Sequence, residues 1–226
     1  MDLQVQSGET IVCIGDSITD CGRRTGEQSP LGSGYVRILR DMMIADYPER
    51  NIEVINKGIG GNTMADLQAR WEDDVIAYHP HWLTILVGIN DLHRTIRGWP
   101  EYAVEHQDGE MHTPERYAAR LDAVLTRTRQ ATDAHIILME PFYLSTDTGS
   151  GFRGMIMHRI EEYRAAVHAA SSTHTTGLVR LHEIFADHLR RRPPEIFCAE
   201  PVHPNLTGHM VIARALFRAL HEKPHH

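Results

Sequence analysis

The chain has 226 residues, 42% of them hydrophobic, which is enough apolar material for one domain over residues 1–226. Its formal net charge is −7, and neither lysine nor arginine forms a block, so a nucleic-acid surface has no footing. The amino terminus lacks the basic and apolar segments of a signal peptide and no apolar run reaches membrane-spanning length, so a cytoplasmic protein with no membrane partner is expected.

In chain order, short apolar or β-branched runs at residues 10–14, 52–56, 82–87, 136–139 and 178–181 each predict a buried strand. Between them, helical patterns run over 35–47, stopped by Pro48, over 63–78, stopped by Pro80, over 113–132 and over 155–172. Thr113-Pro114 is a strong helix start, because threonine caps free N–H groups and proline at the first position has none to orphan. A last helix is expected over 205–221, with Asn205 as its cap. The alternation of strand and helix predicts an α/β fold: a three-layer α/β/α sandwich around a mostly parallel five-stranded sheet, flavodoxin-like in topology. Residues 92–112 form the longest irregular stretch and read as a lid or an oligomer contact. The cysteines Cys13, Cys21 and Cys198 are odd in number and follow no CxxC spacing, which fits free thiols in a reducing compartment.

Ser17 follows the first strand directly, in Ile11-Val-Cys-Ile-Gly-Asp-Ser17, and parallel sheets place ligands at the carboxyl ends of their strands. A serine hydroxyl needs a base, a group that orients the base, and donors for a developing oxyanion. Glu200-Pro-Val-His203, just before the last helix, offers a carboxylate and an imidazole in one loop. Asn56-Lys-Gly-Ile-Gly-Gly-Asn-Thr63 follows the second strand, and its glycines let backbone N–H groups approach a ligand, making Gly61 a candidate oxyanion donor. Val87-Gly-Ile-Asn-Asp91 follows the third strand and presents the Asn90 amide, a donor that does not titrate. Asp16 and Asp91 read as turn-supporting neighbours.

Together these blocks resemble the SGNH (GDSL-type) hydrolases, in which a serine, a glycine, an asparagine and a histidine come from four blocks in this order. The wording Gly15-Asp-Ser-Ile-Thr-Asp-Cys-Gly22, Asn56-Lys-Gly58, Ala69-Arg-Trp-Glu-Asp-Asp-Val75, Gly88-Ile-Asn-Asp91 and Gly208-His-Met210 is similar to bacterial intracellular acetylxylan esterases. The resemblance implies Ser17 as nucleophile, His203 as base, and the Ser17 N–H, Gly61 and Asn90 as oxyanion hole. It also implies a homo-oligomer, no metal or organic cofactor, and a substrate that is an acetylated oligosaccharide or another small ester. The family pattern has aspartate where this chain has Glu200, whose extra methylene demands a different rotamer or loop path to orient His203. The alternatives are a broad short-chain carboxylesterase, lysophospholipase or thioesterase, and a non-catalytic carbohydrate-binding or scaffold protein.

Rival motifs fail on spacing. Thr63 stands where a dinucleotide fingerprint needs its third glycine, Ala186 where a zincin needs its second histidine, and Thr19 where an α/β-hydrolase elbow needs its last glycine. Trp99 and Tyr102 in the long loop, and Phe142-Tyr143 beyond the fourth strand, are the aromatics placed to face a sugar, while Trp82 is expected in the core.

Overall fold

A computed structural model of the chain describes residues 2–25, 30–96 and 109–222. In chain order it runs β1 (Thr10–Gly15), α1 (Ser17–Asp20), α2 (Tyr35–Asp46), β2 (Glu53–Gly58), α3 (Met64–Ala69), α4 (Trp71–Asp74), β3 (Trp82–Leu86) and α5 (Ile89–Arg94). It continues with α6 (Pro114–Ala131), β4 (His135–Met139), α7 (Phe152–His174), β5 (Gly177–Val179), α8 (Leu181–Leu189) and α9 (Leu206–Ala219). The strands form one sheet in the order β2-β1-β3-β4-β5, and every neighbouring pair is parallel. The central strands are apolar along their length: Ile11, Val12, Cys13 and Ile14 of β1 are fully buried, as a strand covered on both faces requires.

The connection from β1 to β2 steps one way across the sheet and the later ones step the other way. With right-handed crossovers, their helices therefore lie on opposite faces. Accordingly α2 packs with α9, whereas α6 packs with α3 and α7. The register aligns the carboxyl ends that matter: Gly15 pairs with Gly58 on one side and with Leu86 on the other, and Leu86 pairs with Met139. The three segments that follow β1, β2 and β3 thus leave the sheet side by side, at the point where the strand order reverses.

Several elements depart from the sequence expectation. The helix expected over 63–78 is broken at Arg70, whose backbone (φ −112, ψ 15) ends α3 and begins α4, and it finishes as a 3-10 turn, Ile76–Tyr78. Leu181, expected at the end of a strand, opens α8, so β5 is only three residues long. The short helices α1 and α5, each starting within three residues of a strand end, show no periodicity of their own. Part of the expected long loop is helical, since α5 runs to Arg94 and a 3-10 turn occupies Gly109–Met111; Trp99 and Tyr102 lie outside the described residues. Among the described residues no helix is long and apolar enough to cross a membrane.

Candidate active site

Ser17 is the first residue of α1. Asp16 caps that helix, its Oδ1 accepting the Ile18 N–H at 3.0 Å, and the Cys21 N–H closes the turn onto the Ser17 carbonyl at 3.0 Å. The turn is pressed onto the sheet: a Cβ at Gly58 would lie 2.1 Å from the Asp20 nitrogen, so only glycine fits there. Asn56 fastens the same turn from beneath, donating from Nδ2 to the Thr19 and Leu31 carbonyls at 2.7 and 2.9 Å and accepting the Gly58 N–H at 2.8 Å. His209 of α9 anchors its far end. It accepts the Tyr35 N–H through Nδ1, which leaves the proton on Nε2 to face the Cys21 Sγ at 3.4 Å. Burial, with the nearby His203 charge, pushes the His209 pKa down to about 4, so the ring is neutral there.

The serine hydroxyl meets its partner across the chain. Ser17 Oγ lies 2.8 Å from His203 Nε2, and His203 Nδ1 is hydrogen-bonded to Glu200 Oε1. The loop solves the extra methylene of Glu200 by folding over its own carboxylate: Oε1 also accepts the His203 N–H at 2.8 Å, and Oε2 accepts the Val202 N–H at 2.9 Å. Leu144, beyond β4, ties the loop down by donating its N–H to the Pro201 carbonyl at 2.8 Å. The His203 pKa is raised by the hydrogen bond to Glu200, against an opposing effect of burial. For Glu200, burial works to raise the pKa. The bond to His203 and the two loop N–H groups outweigh it, so the carboxylate is held below its usual range.

The glycine-rich loop borders Ser17. A Cβ at Gly60 would lie 3.8 Å from Ser17 Cβ, and the Gly60 N–H is committed to Asp20 Oδ2 at 3.0 Å. Gly61 has φ 79, a left-handed conformation that favours glycine, and a Cβ added there would meet open space. Asn90, in the first turn of α5, donates one amide hydrogen to the Asn62 carbonyl at 3.0 Å and keeps a second for another acceptor. Asp91 is fully buried and accepts the Met64 N–H on both oxygens, at 3.1 and 3.0 Å, joining α5 to the start of α3. The structure therefore brings Ser17, His203 and Glu200 into one hydrogen-bonded chain and sets the Gly61 and Asn90 segments against each other beside it.

Phe142 and Tyr143 are buried in the core and face no substrate, because the chain turns inward after β4. Trp82 is buried as expected. Three polar groups near the site, Asp20, Arg70 and His93, carry no signal in the sequence. Asp20 holds Gly60, and Arg70 bonds to Gly15, Lys57 and Asn62, joining two segments of the site. His93, in α5, sits within electrostatic reach of His203 and Glu200, and burial drives its pKa down to about 4. Asp16, expected to support the turn, does so as the cap of α1; it is 1% exposed, and burial pushes its pKa up to about 7. No spacing rule marks such residues; each looks like an ordinary surface charge or turn residue until the fold buries it.

Residues 13–211 match the GDSL-like Lipase/Acylhydrolase family. An acetylxylan esterase of Geobacillus stearothermophilus is 36% identical over 222 residues, covering 96% of each chain. The crystal structure of that organism's acetylxylan esterase Axe2 superimposes with a TM-score of 0.83 at 35% identity over 97% of each chain. An α/β hydrolase from the metagenome of Lake Arreo, LAE5, gives 0.84 at 31% identity over 97% of this chain and 98% of its own. The solved structures of Axe2 include catalytic mutants in which a serine, an aspartate or a histidine is replaced by alanine. A family match from the middle of β1 into α9, with similarity over nearly the full length of each relative, spans every segment that builds the site, and the chain belongs to the GDSL-like lipase/acylhydrolase family.

Proposed function

We propose that this chain is a serine esterase that removes O-acetyl groups from xylo-oligosaccharides or related acetylated sugars. The observation that carries the reading is the unbroken hydrogen-bonded chain from Ser17 Oγ through the His203 ring to Glu200. The full-length similarity to an acetylxylan esterase supports the substrate class.

In this mechanism Ser17 Oγ attacks the acetyl carbonyl carbon while His203 Nε2 takes the hydroxyl proton. Glu200 holds the proton of the imidazole on Nδ1, so that Nε2 presents its lone pair, and it stabilises the imidazolium that forms. The Ser17 N–H, the Gly61 N–H and the free hydrogen of the Asn90 amide donate to the oxyanion. His203 then passes its proton to the departing sugar oxygen, leaving acetyl on Ser17. Water enters, gives a proton to His203 and attacks the acetyl carbon, and the proton returns to Ser17 Oγ as acetate leaves.

The reading extends to a homo-oligomer in the cytoplasm. Its support is the exposed apolar set Ile196, Leu206 and Met210 around the start of α9, with Leu206 67% exposed, and the three unpaired thiols. Hydrolysis of p-nitrophenyl acetate and of acetylated xylo-oligosaccharides tests the assignment. Acetyl esters are expected to turn over, p-nitrophenyl butyrate to react poorly, and Ser17→Ala to abolish turnover. Undiminished activity in Ser17→Ala would overturn the mechanism, and a preference for long acyl chains would overturn the acetyl specificity while leaving the residues in their roles.

A further inference from the structure

The side chain of Arg70 ends the helix it belongs to and turns back under the site. Its Nε donates to Asn62 Oδ1 at 2.9 Å, Nη1 to the Lys57 carbonyl at 2.9 Å, and Nη2 to the Gly15 carbonyl at 3.2 Å. Nη1 also pairs with Asp74 Oδ2 at 2.6 Å, and Lys57 Nζ meets the other oxygen of Asp74 at 3.0 Å. The guanidinium is largely enclosed, its side chain 15% exposed. Gly15 lies two residues before Ser17, Lys57 is near the end of β2, and Asn62 follows Gly61. The Asn62 carbonyl in turn receives the Asn90 amide at 3.0 Å. A single planar group with five fixed N–H donors thus ties the segment that carries Ser17 to the segment that carries Gly61, and reaches Asn90 through Asn62.

Two features separate this arrangement from an ordinary surface ion pair. Three of the acceptors are uncharged carbonyl or amide oxygens, on the segments after β1 and around the end of β2, so the contacts fix relative position and not charge. Asp74 offsets one of the two positive charges of Arg70 and Lys57, and Arg70→Lys keeps that balance, so the substitution separates position from field. The backbone has also left helical geometry at this residue, with φ −112 and ψ 15, so the side chain leaves from the break between α3 and α4.

We infer that Arg70 is a positioning residue that sets the spacing of the Ser17, Gly61 and Asn90 donors, and so acts on the transition state more than on substrate binding. The inference rests on the oxyanion-hole reading of those three residues. An error of about 1 Å in such donors costs on the order of 10²-fold in rate, comparable with removing one donor, at 10²- to 10³-fold. Lysine carries the charge but not the fork, so it is not a conservative replacement here.

The test uses the full-length chain with p-nitrophenyl acetate as probe. Kinetics and thermal melts are measured for Arg70→Lys, Arg70→Ala, Asn90→Ala, the double variant Arg70→Lys/Asn90→Ala, and Thr128→Val. Thr128 of α6 accepts the Trp71 indole N–H at 3.0 Å and bonds to none of the three donor residues, so Thr128→Val softens the α4 neighbourhood without touching the donors. Expected for Arg70→Lys is a fall in kcat of about 10²-fold with KM changed less than about twofold. The double variant should lose little more than the worse single one, because both changes disable the same hole. Added guanidinium should restore part of the activity of Arg70→Ala. If that variant does not fold, Arg70→Lys and the double variant still decide. Thr128→Val should melt lower yet keep its kcat. Four results would overturn the inference: unchanged kcat in Arg70→Lys, a rise in KM alone, independent multiplication of the two losses, or a kcat loss in Thr128→Val that matches its lowered melting temperature. Unchanged kcat in Asn90→Ala would instead remove the oxyanion-hole reading, and this inference with it.

Discussion

The two halves of the candidate site are built differently. The Ser17 side grows from the carboxyl ends of three adjacent parallel strands and rests on buried polar contacts: Asp16 and Asn56 are 1% and 4% exposed, and Asp91 is fully buried. The His203 side is a loop between α8 and α9, with the side chains of His203 and Glu200 49% and 45% exposed. One half is part of the core. The other is a short loop that organises itself around its own carboxylate. Damage to the first should therefore reach stability and rate together, whereas damage to the second should reach rate with little effect on stability.

The largest expected effect is on the loop. Glu200→Gln removes the carboxylate that fixes the His203 tautomer and should lower kcat by roughly 10⁴-fold. The melting temperature should move by no more than about 4 °C, because a half-exposed pair contributes little to stability. The pH profile sharpens the same point. His203 can take a proton only when neutral, so kcat/KM should rise with pH through the His203 pKa. The Glu200 bond raises that pKa, placing the wild-type acid limb above the ordinary histidine value near 6.5. In Glu200→Gln the raising effect is lost and burial still lowers the pKa, so the residual activity should show its limb at lower pH. A limb that stays put, or a large loss of melting temperature, would break the contrast between the halves.

On the strand side, Asn56→Ala strips partners from the Thr19 and Leu31 carbonyls and the Gly58 N–H. A cost of roughly 3 kcal/mol is expected, read as a melting temperature lower by roughly 10 °C. A fall in kcat of about 10-fold should accompany it as the Ser17 turn loosens. Loss of rate with no loss of stability would show that this half, too, is only locally held. The smallest effect is expected for Gly61→Ala. The N–H is kept and the new Cβ meets open space, so the change is limited to the strain of φ 79, about 1 kcal/mol by thermal or urea unfolding.

Much of the arrangement of the candidate site was legible in the sequence, for a definite reason. Ser17, Gly61 and Asn90 each lie within a few residues of a strand's carboxyl end, and parallel topology brings such ends together. Glu200 and His203 share a loop three residues apart, so their meeting is a local matter. Arg70 was not legible as a brace, since an arginine in a helical pattern reads as a solvated charge. The break in the helix over 63–78 was hidden for the same reason: it arises where that side chain reaches Gly15, Lys57 and Asn62.

By itself, then, the amino-acid order determined the alternation of strand and helix, the candidate serine, histidine, carboxylate and donor residues, and the family pattern they share. Those properties reside in short segments, where turn chemistry and hydrophobic periodicity act locally. Only the tertiary structure decided how the longer Glu200 meets His203, which charges are buried, and that Arg70 joins the Ser17 segment to the Gly61 segment. Those outcomes depend on distances between residues far apart in the chain and on loss of water from around them, and neither is set until the sheet has formed and the loops have closed over its end.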